Sequence, residues 1–400
     1  MGWALNTVVM LAIASIPFQW YAFRRISTSI SRLTGWRSRR IRLATAAFVF
    51  YPVCYPLIAA VSYALGEPRV YQQANSFMDA LLTYPFWIGV VFAVQLSLVL
   101  LVIDAGRLAL YPAYRKDKNK WLKVHAIVTV ALTCAVALYC GFRVYTDTLG
   151  VRVRHEVFPV AGLPAELNGL RIAQISDVHV DMRTRGKKLD RYIEAVNRES
   201  PDLIIFCGDL VSSSTTYIDQ AANALGKLKA RYGVFACLGD HDYFSDPEMV
   251  ASRLEVNGIV VLRDESRVID AGGSQVSLTG VTNVYRKPAI PTRVQSLGQG
   301  RPHSGLDVFF THQPSNWIVD SASASGYNLF LAGHTHGGQV AFPLPGFILT
   351  GSSFETHYVT GVFKRQNTWI NICNGLGLTL SPIRYQAPAE LTIVDVRRQD

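Results

Sequence analysis

Charge is what this chain has least of. Asp, Glu, Lys and Arg make up 17% of its 400 residues, against 50% hydrophobic, where soluble domains carry about 25% charged residues. A wholly soluble enzyme is therefore a poor fit. Disorder is excluded by the same numbers, because there is ample apolar material for a core. Cysteine is sparse too, and six in 400 residues cannot staple a disulfide scaffold. Acidic residues are nearly missing from the first third. Residues 1–142 hold 14 Lys and Arg but four Asp and Glu, whereas residues 143–400 hold 25 of each sign. The formal net charge of +10 thus belongs to the N-terminal region, and the remainder has no global pull on nucleic acid.

Four stretches lack charge altogether: Met1–Phe23, Leu43–Gly66, Ala80–Ile103 and Val124–Phe142. A bilayer-spanning helix needs about 20 apolar residues, so these four predict a transmembrane region over 1–142. Core helices of a soluble protein would rarely give four such stretches in succession. Pro52, Pro56 and Pro85 fall inside spans, which membrane helices tolerate. The first stretch has its arginines after it and shows no small-residue cleavage site, so it reads as a retained helix and not a signal peptide. Seven arginines (24, 25, 32, 37, 39, 40, 42) and no acid separate spans one and two. Arg107, Arg115, Lys116, Lys118, Lys120 and Lys123 face only Asp104 and Asp117 between spans three and four, while the middle loop has Arg69 against Glu67 and Asp79. Basic short loops stay cytoplasmic. The expected product is an integral protein of the cell (inner) membrane, with residues 143–400 extracytoplasmic and the arginines serving topology and lipid headgroups. The spans offer no charged residue to line a transport path.

Downstream, short apolar runs alternate with amphipathic segments. Leu170–Ile175, Leu203–Cys207, Gly233–Leu238, Val308–Phe310 and Leu329–Leu331 read as buried strands. Lys187–Ser200 and Tyr217–Arg231 carry apolar residues at helical spacing, and Asp246-Pro247 is a helix start. This pattern predicts a layered α/β domain. Pro288, Pro291 and Ser296–Ser304 read as a surface loop. Cys54, Cys134 and Cys140 sit in spans as packing residues; Cys207, Cys237 and Cys373 lie downstream, and an oxidising compartment leaves a Cys207–Cys237 pairing open.

Each strand is followed by residues with metal-ligand chemistry: Asp177-Val178-His179, Gly208-Asp209, Gly239-Asp240-His241-Asp242, Thr311-His312 and Gly333-His334-Thr335-His336. Five of the nine histidines fall here. Open α/β sheets bind ligands at the carboxyl ends of their strands, so these segments can converge. Carboxylate oxygen with imidazole nitrogen suits Mn, Fe or Zn. Seven candidate ligands are too many for one ion and fit two that share a carboxylate. Singly each signal is weak; five in order are strong.

This series resembles the calcineurin-like metallophosphoesterase superfamily. The ending Gly333-His334-Thr335-His336-Gly337-Gly338-Gln339, with Leu163-Pro164 and Asn168-Gly169-Leu170-Arg171-Ile172 upstream, is similar to its membrane-anchored bacterial branch. The resemblance implies a four-layer α/β/β/α fold over 143–400. It also implies that Asp177, His179 and His336 hold one ion, Asp240, His312 and His334 a second, with Asp209 bridging. His241 would then act on the substrate as donor or general acid, with Asp242 a candidate to orient it. The family pattern has Asn where this chain has Asp240. The resemblance implies hydrolysis of a phosphomonoester or phosphodiester, and the tether suits a lipid-linked substrate. Two alternatives are a UDP-2,3-diacylglucosamine pyrophosphatase-type hydrolase, which would need a cytoplasmic site, and a non-enzymatic metal-stabilised sensor domain.

Overall fold

The computed structural model describes residues 3–35, 39–66, 76–301 and 304–399. Met1, Gly2, Arg37, Glu67 and Arg69 lie outside the described residues. The chain divides into two compact units, Met1–Thr146 with Leu380–Tyr385, and Asp147–Thr379 with Gln386–Asp400.

The first unit is helical. Its segments Ala4–Thr34, Arg39–Ala64, Asp79–Ala109 and Tyr111–Leu149 are long and apolar enough to cross a membrane, with mean hydropathies of 1.3, 1.8, 2.6 and 1.9. They outrun the charge-free stretches. The first helix, Trp3–Thr34, continues through Arg24, Arg25 and Arg32, and the last, Lys118–Leu149, begins five residues or more before its apolar run. Helical backbone bonding does not stop at a charge, and long basic side chains can carry their heads away from an apolar zone while their stems stay in it. Met10, Val102, Leu138 and Phe142 are exposed, which suits lipid and would be costly in water. Within this unit Tyr385 donates to Gln95 Oε1 at 2.9 Å.

Among the described residues, the second unit holds fourteen strands: β1 (Val151–Ala161), β2 (Arg171–Ile175), β3 (Leu203–Phe206), β4 (Val234–Ala236), β5 (Ile259–Val261), β6 (Glu265–Ala271), β7 (Ser274–Val281), β8 (Leu306–Thr311), β9 (Leu329–Ala332), β10 (Phe342–Leu344), β11 (Phe347–Leu349), β12 (Gly361–Arg365), β13 (Thr368–Ile372) and β14 (Ala389–Gln399). Twelve of them form two mixed sheets, in the orders β1-β14-β2-β3-β4-β5 and β12-β13-β9-β8-β7-β6. The central strands β2 to β5 are mutually parallel, as are β7, β8, β9 and β13.

Period-two alternation explains the layers. In β2 and β3, Ile172, Leu203 and Ile205 join Val308, Phe310, Leu329 and Leu331 in the core between the sheets. Their neighbours Ala173, Ile204 and Phe206 face the opposite way, onto Leu189, Ile193, Val196, Ala221, Leu225, Val250 and Leu254. Those side chains come from helices Lys187–Arg198, Ile218–Leu225 and Pro247–Val256. Phe309, Phe330 and Ile370 of the second sheet pack on Val294, Ile318 and Val319 in the same manner. The result is the expected helix–sheet–sheet–helix stack, with each central strand apolar on both faces because both are covered. The Asp246 carboxylate caps its helix, accepting from the Met249 amide at 3.0 Å.

One expectation fails. Much of the loop read over Ser296–Ser304 belongs to a helix, Pro291–Gly300. Pro291 stands in its first turn, where the missing amide costs nothing, and Val294 and Gly298 are its buried face. Gly298 marks a close approach: a Cβ there would come within 2.5 Å of Ser325 Oγ.

Candidate metal centre

β2, β3 and β4 of one sheet and β8 and β9 of the other end at the same edge, and the five loops that follow them meet. The structure brings all seven sequence-derived ligand candidates and His241 together. Asp177, His179 and His336 place ligand atoms within 4.8 Å of one another, as do Asp240, His312 and His334. Asp209 lies between the two groups: its Oδ2 is 3.3 Å from His179 Nε2 and 3.3 Å from His312 Nε2. On one side His336 Nε2 is 3.3 Å from Asp177 Oδ1. On the other, Asp240 Oδ2 is 3.0 Å from His334 Nδ1 and 3.4 Å from His312 Nε2.

The loops reach this arrangement through unusual backbone. Asp177, His179, Asp209, His334 and His336 all have left-handed φ, at 51°, 47°, 60°, 70° and 53°. Such angles are uncommon outside glycine, and Asp and His are among the types that tolerate them best. Close approach does the rest. A Cβ on Gly333 would lie 1.7 Å from Ser176 Oγ and 2.5 Å from Asp177 Oδ2, and one on Gly239 would lie 2.2 Å from Asp209 Oδ1. Only glycine lets these strand ends press against the carboxylates.

The donor set fits cations. His179 Nε2 and His336 Nε2 face each other at 3.1 Å, and His334 Nδ1 and His312 Nε2 at 3.3 Å. Among the described residues, the buried atoms Asp177 Oδ1 and His179 Nδ1 have no hydrogen-bond partner. Paired imidazole nitrogens beside buried carboxylates are an arrangement that a shared positive ion satisfies. The His312 ring is fixed for this, because its Nδ1 donates to the Cys207 carbonyl at 2.8 Å and leaves Nε2 inward.

Burial raises the Asp177 carboxyl, with Asp209 beside it adding to the effect. Burial would raise Asp209 as well, but His312 and His241 outweigh it and hold that carboxyl well below the usual range. For His334, burial acts downward, yet Asp240 and Glu355 push its pKa up to about 9. A histidine whose folded pKa is raised stabilises the ion-free fold below its unfolded pKa of about 6.5, and this contribution is lost as pH climbs through about 9. A divalent cation must displace that proton. Metal uptake should therefore release protons, and its apparent affinity should rise between pH 6.5 and 9; calorimetry giving a flat profile over that window would exclude His334 as a ligand.

His241 sits at the margin of the cluster. Its Nδ1 donates to the Ser212 carbonyl, so Nε2 is the nitrogen left for chemistry, 3.5 Å from Thr379 Oγ1. Its ring centroid is 4.7 Å from that of His179, and it falls within ligand range of His179 and Asp209. Burial lowers its pKa, against the opposing pull of Asp209. Asp242 does not orient it. That carboxylate instead accepts from the backbone amides of Asp209 at 3.0 Å, Leu210 at 2.9 Å and Gly239 at 2.9 Å, tying the β3 and β4 loops together. Burial, with Asp209 nearby, pushes its pKa up to about 7.

Other contacts were not legible in the sequence. Asp240 accepts from the Tyr285 amide at 2.6 Å and from Gln313 Nε2 at 2.8 Å, donors that offset its extra negative charge where the family pattern has Asn. Glu355 Oε2 accepts from His334 Nε2 at 3.1 Å, and the Tyr285 hydroxyl lies 3.4 Å from the same nitrogen. Tyr285 and Glu355 come from loops with no periodicity or motif to flag them. The six cysteines are free thiols. Cys207 and Cys237 are core residues between the sheets, where burial pushes the Cys207 thiol well above its ordinary range and that of Cys237 up to about 12.

Residues 170–338 match the family described as calcineurin-like phosphoesterase. The chain is similar to a transmembrane protein with metallophosphoesterase domain from Danio rerio, 28% identical over 249 residues that cover 60% of this chain and 56% of that one. It is also similar to two uncharacterized metallophosphoesterases of Bacillus subtilis. YkuE is 26% identical over 64% of this chain and 89% of its own length, and YkoQ 28% identical over 66% and 98%. The match thus spans little more than half of the vertebrate relative and nearly all of the bacterial ones.

Proposed function

Starting from a C-terminal unit that is a calcineurin-like metallophosphoesterase domain, preceded by four helices long and apolar enough to cross a membrane, we propose that the chain is a membrane-anchored phosphoesterase. It hydrolyses a phosphomonoester or phosphodiester using two divalent cations. The observation that carries this reading is Asp209 Oδ2, equidistant at 3.3 Å from one nitrogen of each histidine group. Asp177, His179 and His336 hold one ion, Asp240, His312 and His334 the other, and Asp209 is shared. Bound there, Mn, Fe or Zn would supply positive charge to the phosphoryl oxygens and to the attacking water.

The chain's own residues do the remainder. His241, its Nδ1 anchored on Ser212, presents Nε2 to the substrate and, when protonated, donates to the leaving oxygen. Glu355 and Tyr285 hold His334 from outside the cluster. The basic first and third loops support an orientation with the catalytic unit outside the cytoplasm, where a lipid-linked or surface phosphoester would be within reach of a tethered enzyme.

The test combines activity with topology. Purified full-length chain, loaded with Mn, Zn or Fe, should hydrolyse a monoester or diester, and a reporter active only outside the cytoplasm should work when fused after Asp400. An ion-loaded protein inert toward monoesters, diesters and lipid pyrophosphates would favour a sensor. A reporter active only in the cytoplasm, with lipid pyrophosphate cleaved, would favour the diacylglucosamine reading.

A further inference from the structure

The helical unit carries a second polar site, unconnected with the metal cluster. Asp104, near the end of helix Tyr84–Ala109, gathers three partners: Arg25 Nη2 at 2.9 Å, the Tyr21 hydroxyl at 2.7 Å and His125 Nε2 at 3.3 Å. Arg107 Nε approaches the same carboxylate at 3.7 Å. Beside this knot is a cavity of about 290 Å³ whose charged lining is Arg25, Arg32, Arg107 and Lys118, with His125 and Ser29 between them. That volume is near the lower end for small-ligand sites.

The charge balance selects the ligand. Among the described residues, four cations and no carboxylate line the cavity, and two of those cations, Arg25 and Arg107, engage Asp104. Among the described residues no carboxylate pairs with Arg32 or Lys118; Arg32 reaches only the Leu122 carbonyl, at 3.5 Å. Among the described residues, the Nε groups of Arg25 and Arg107 are buried with no hydrogen-bond partner. Guanidinium groups present fixed donor forks that match the oxygens of a phosphate, and an ammonium adds a point charge. Helices Trp3–Thr34, Tyr84–Ala109 and Lys118–Leu149 contribute at one end of the bundle, the first two near their C-terminal ends and the third near its start, where the sequence is rich in arginine and lysine. Basic pockets between membrane helices at such an end receive anionic headgroups.

We propose that this cavity binds the phosphate group of an anionic ligand, a phospholipid headgroup or a free phosphate species. Arg25 is held in place by Asp104, and Arg32 and Lys118 supply the uncompensated charge.

The experiment uses the full chain in neutral detergent, where no charged bilayer surface is present. Bound phosphatidylglycerol and phosphatidylcholine are counted by native mass spectrometry, and inorganic phosphate is supplied as competitor. Phosphatidylglycerol should be retained in preference to phosphatidylcholine. The paired substitution Arg32→Gln and Lys118→Gln should lower its affinity by at least about tenfold, and Arg32→Lys with Lys118→Arg should keep it. Removing the same charge outside the cavity, with Arg39→Gln and Arg40→Gln, should leave it unchanged. Displacement of the lipid by inorganic phosphate would identify a free phosphate as the source, and resistance to displacement a lipid headgroup. Equal retention of the two lipids, or equal losses in the cavity pair and the outside pair, would overturn the site.

Discussion

Replacing His241 with alanine should leave both metal ions in place and slow hydrolysis by about 10²–10⁴-fold, the usual contribution of a positioned acid or donor. The structure supplies the reason. Seven other side chains already make up two ligand groups and a shared carboxylate, and the His241 ring is held from behind by the Ser212 carbonyl. Its free nitrogen can therefore serve the substrate. The size of the loss should depend on the leaving group. With a nitrophenolate, which departs without a proton, the defect should shrink if Nε2 protonates the leaving oxygen; it should persist if His241 instead stabilises charge on the phosphoryl oxygens. Metal analysis decides the remaining case, because His241 is also within ligand range of His179 and Asp209. A variant that lost an ion would make it a ligand, and one with unchanged rates on every substrate would remove it from the mechanism.

The second large effect is expected at Asp209. Alanine there should deplete the protein of more than one ion's share, while Asp240→Ala should empty mainly one position. Losing an outer partner of a ligand costs about 10–100-fold in metal affinity, so losing the carboxylate between both groups should cost more than about 100-fold at each. The damage also reaches His241, whose backbone amide donates to Asp209 Oδ1 at 2.8 Å. Activity of Asp209→Ala should thus fall below that of His241→Ala. Asp209→Asn, which keeps one oxygen and tolerates the same φ, guards against a simple folding failure. Equal single-ion losses in the Asp209 and Asp240 variants would dissolve the bridge.

The parts of this molecule that were legible in its sequence share one property: their chemistry is concentrated in short windows. A charge-free stretch of membrane length announces itself, and so does a strand that ends in Gly-Asp or Gly-His. The ligand candidates converge because parallel strands deliver their carboxyl ends to one edge. What was not legible depends on contacts made across the chain. β1 pairs in parallel with β14, the last strand, along eleven residues, and no local window contains that partnership. Asp242 looked like a partner for its neighbour in sequence, but the helical turn that begins at Asp240 sends it to three backbone amides instead. Helix Pro291–Gly300 was hidden by a composition that reads as loop, although Gly298 serves packing against Ser325. Glu355 and Tyr285 arrive from loops whose course is set by the second sheet.

The left-handed turns at the metal centre bear on which residues the site can exchange. At Asp177, His179, Asp209, His334 and His336 the backbone admits few residue types, and β-branched or bulky side chains are strained there by about 1–3 kcal/mol. The proposed ligation would demand the same small alphabet as the conformation, so these positions would be locked twice over. Asp240 and His312 are locked once: neither has positive φ, and Asp240 opens an ordinary helical turn. The chain departs from the family pattern at one of those two places. The backbone leaves the residue type open at those two places, while the other five positions are confined to the few types that tolerate their φ.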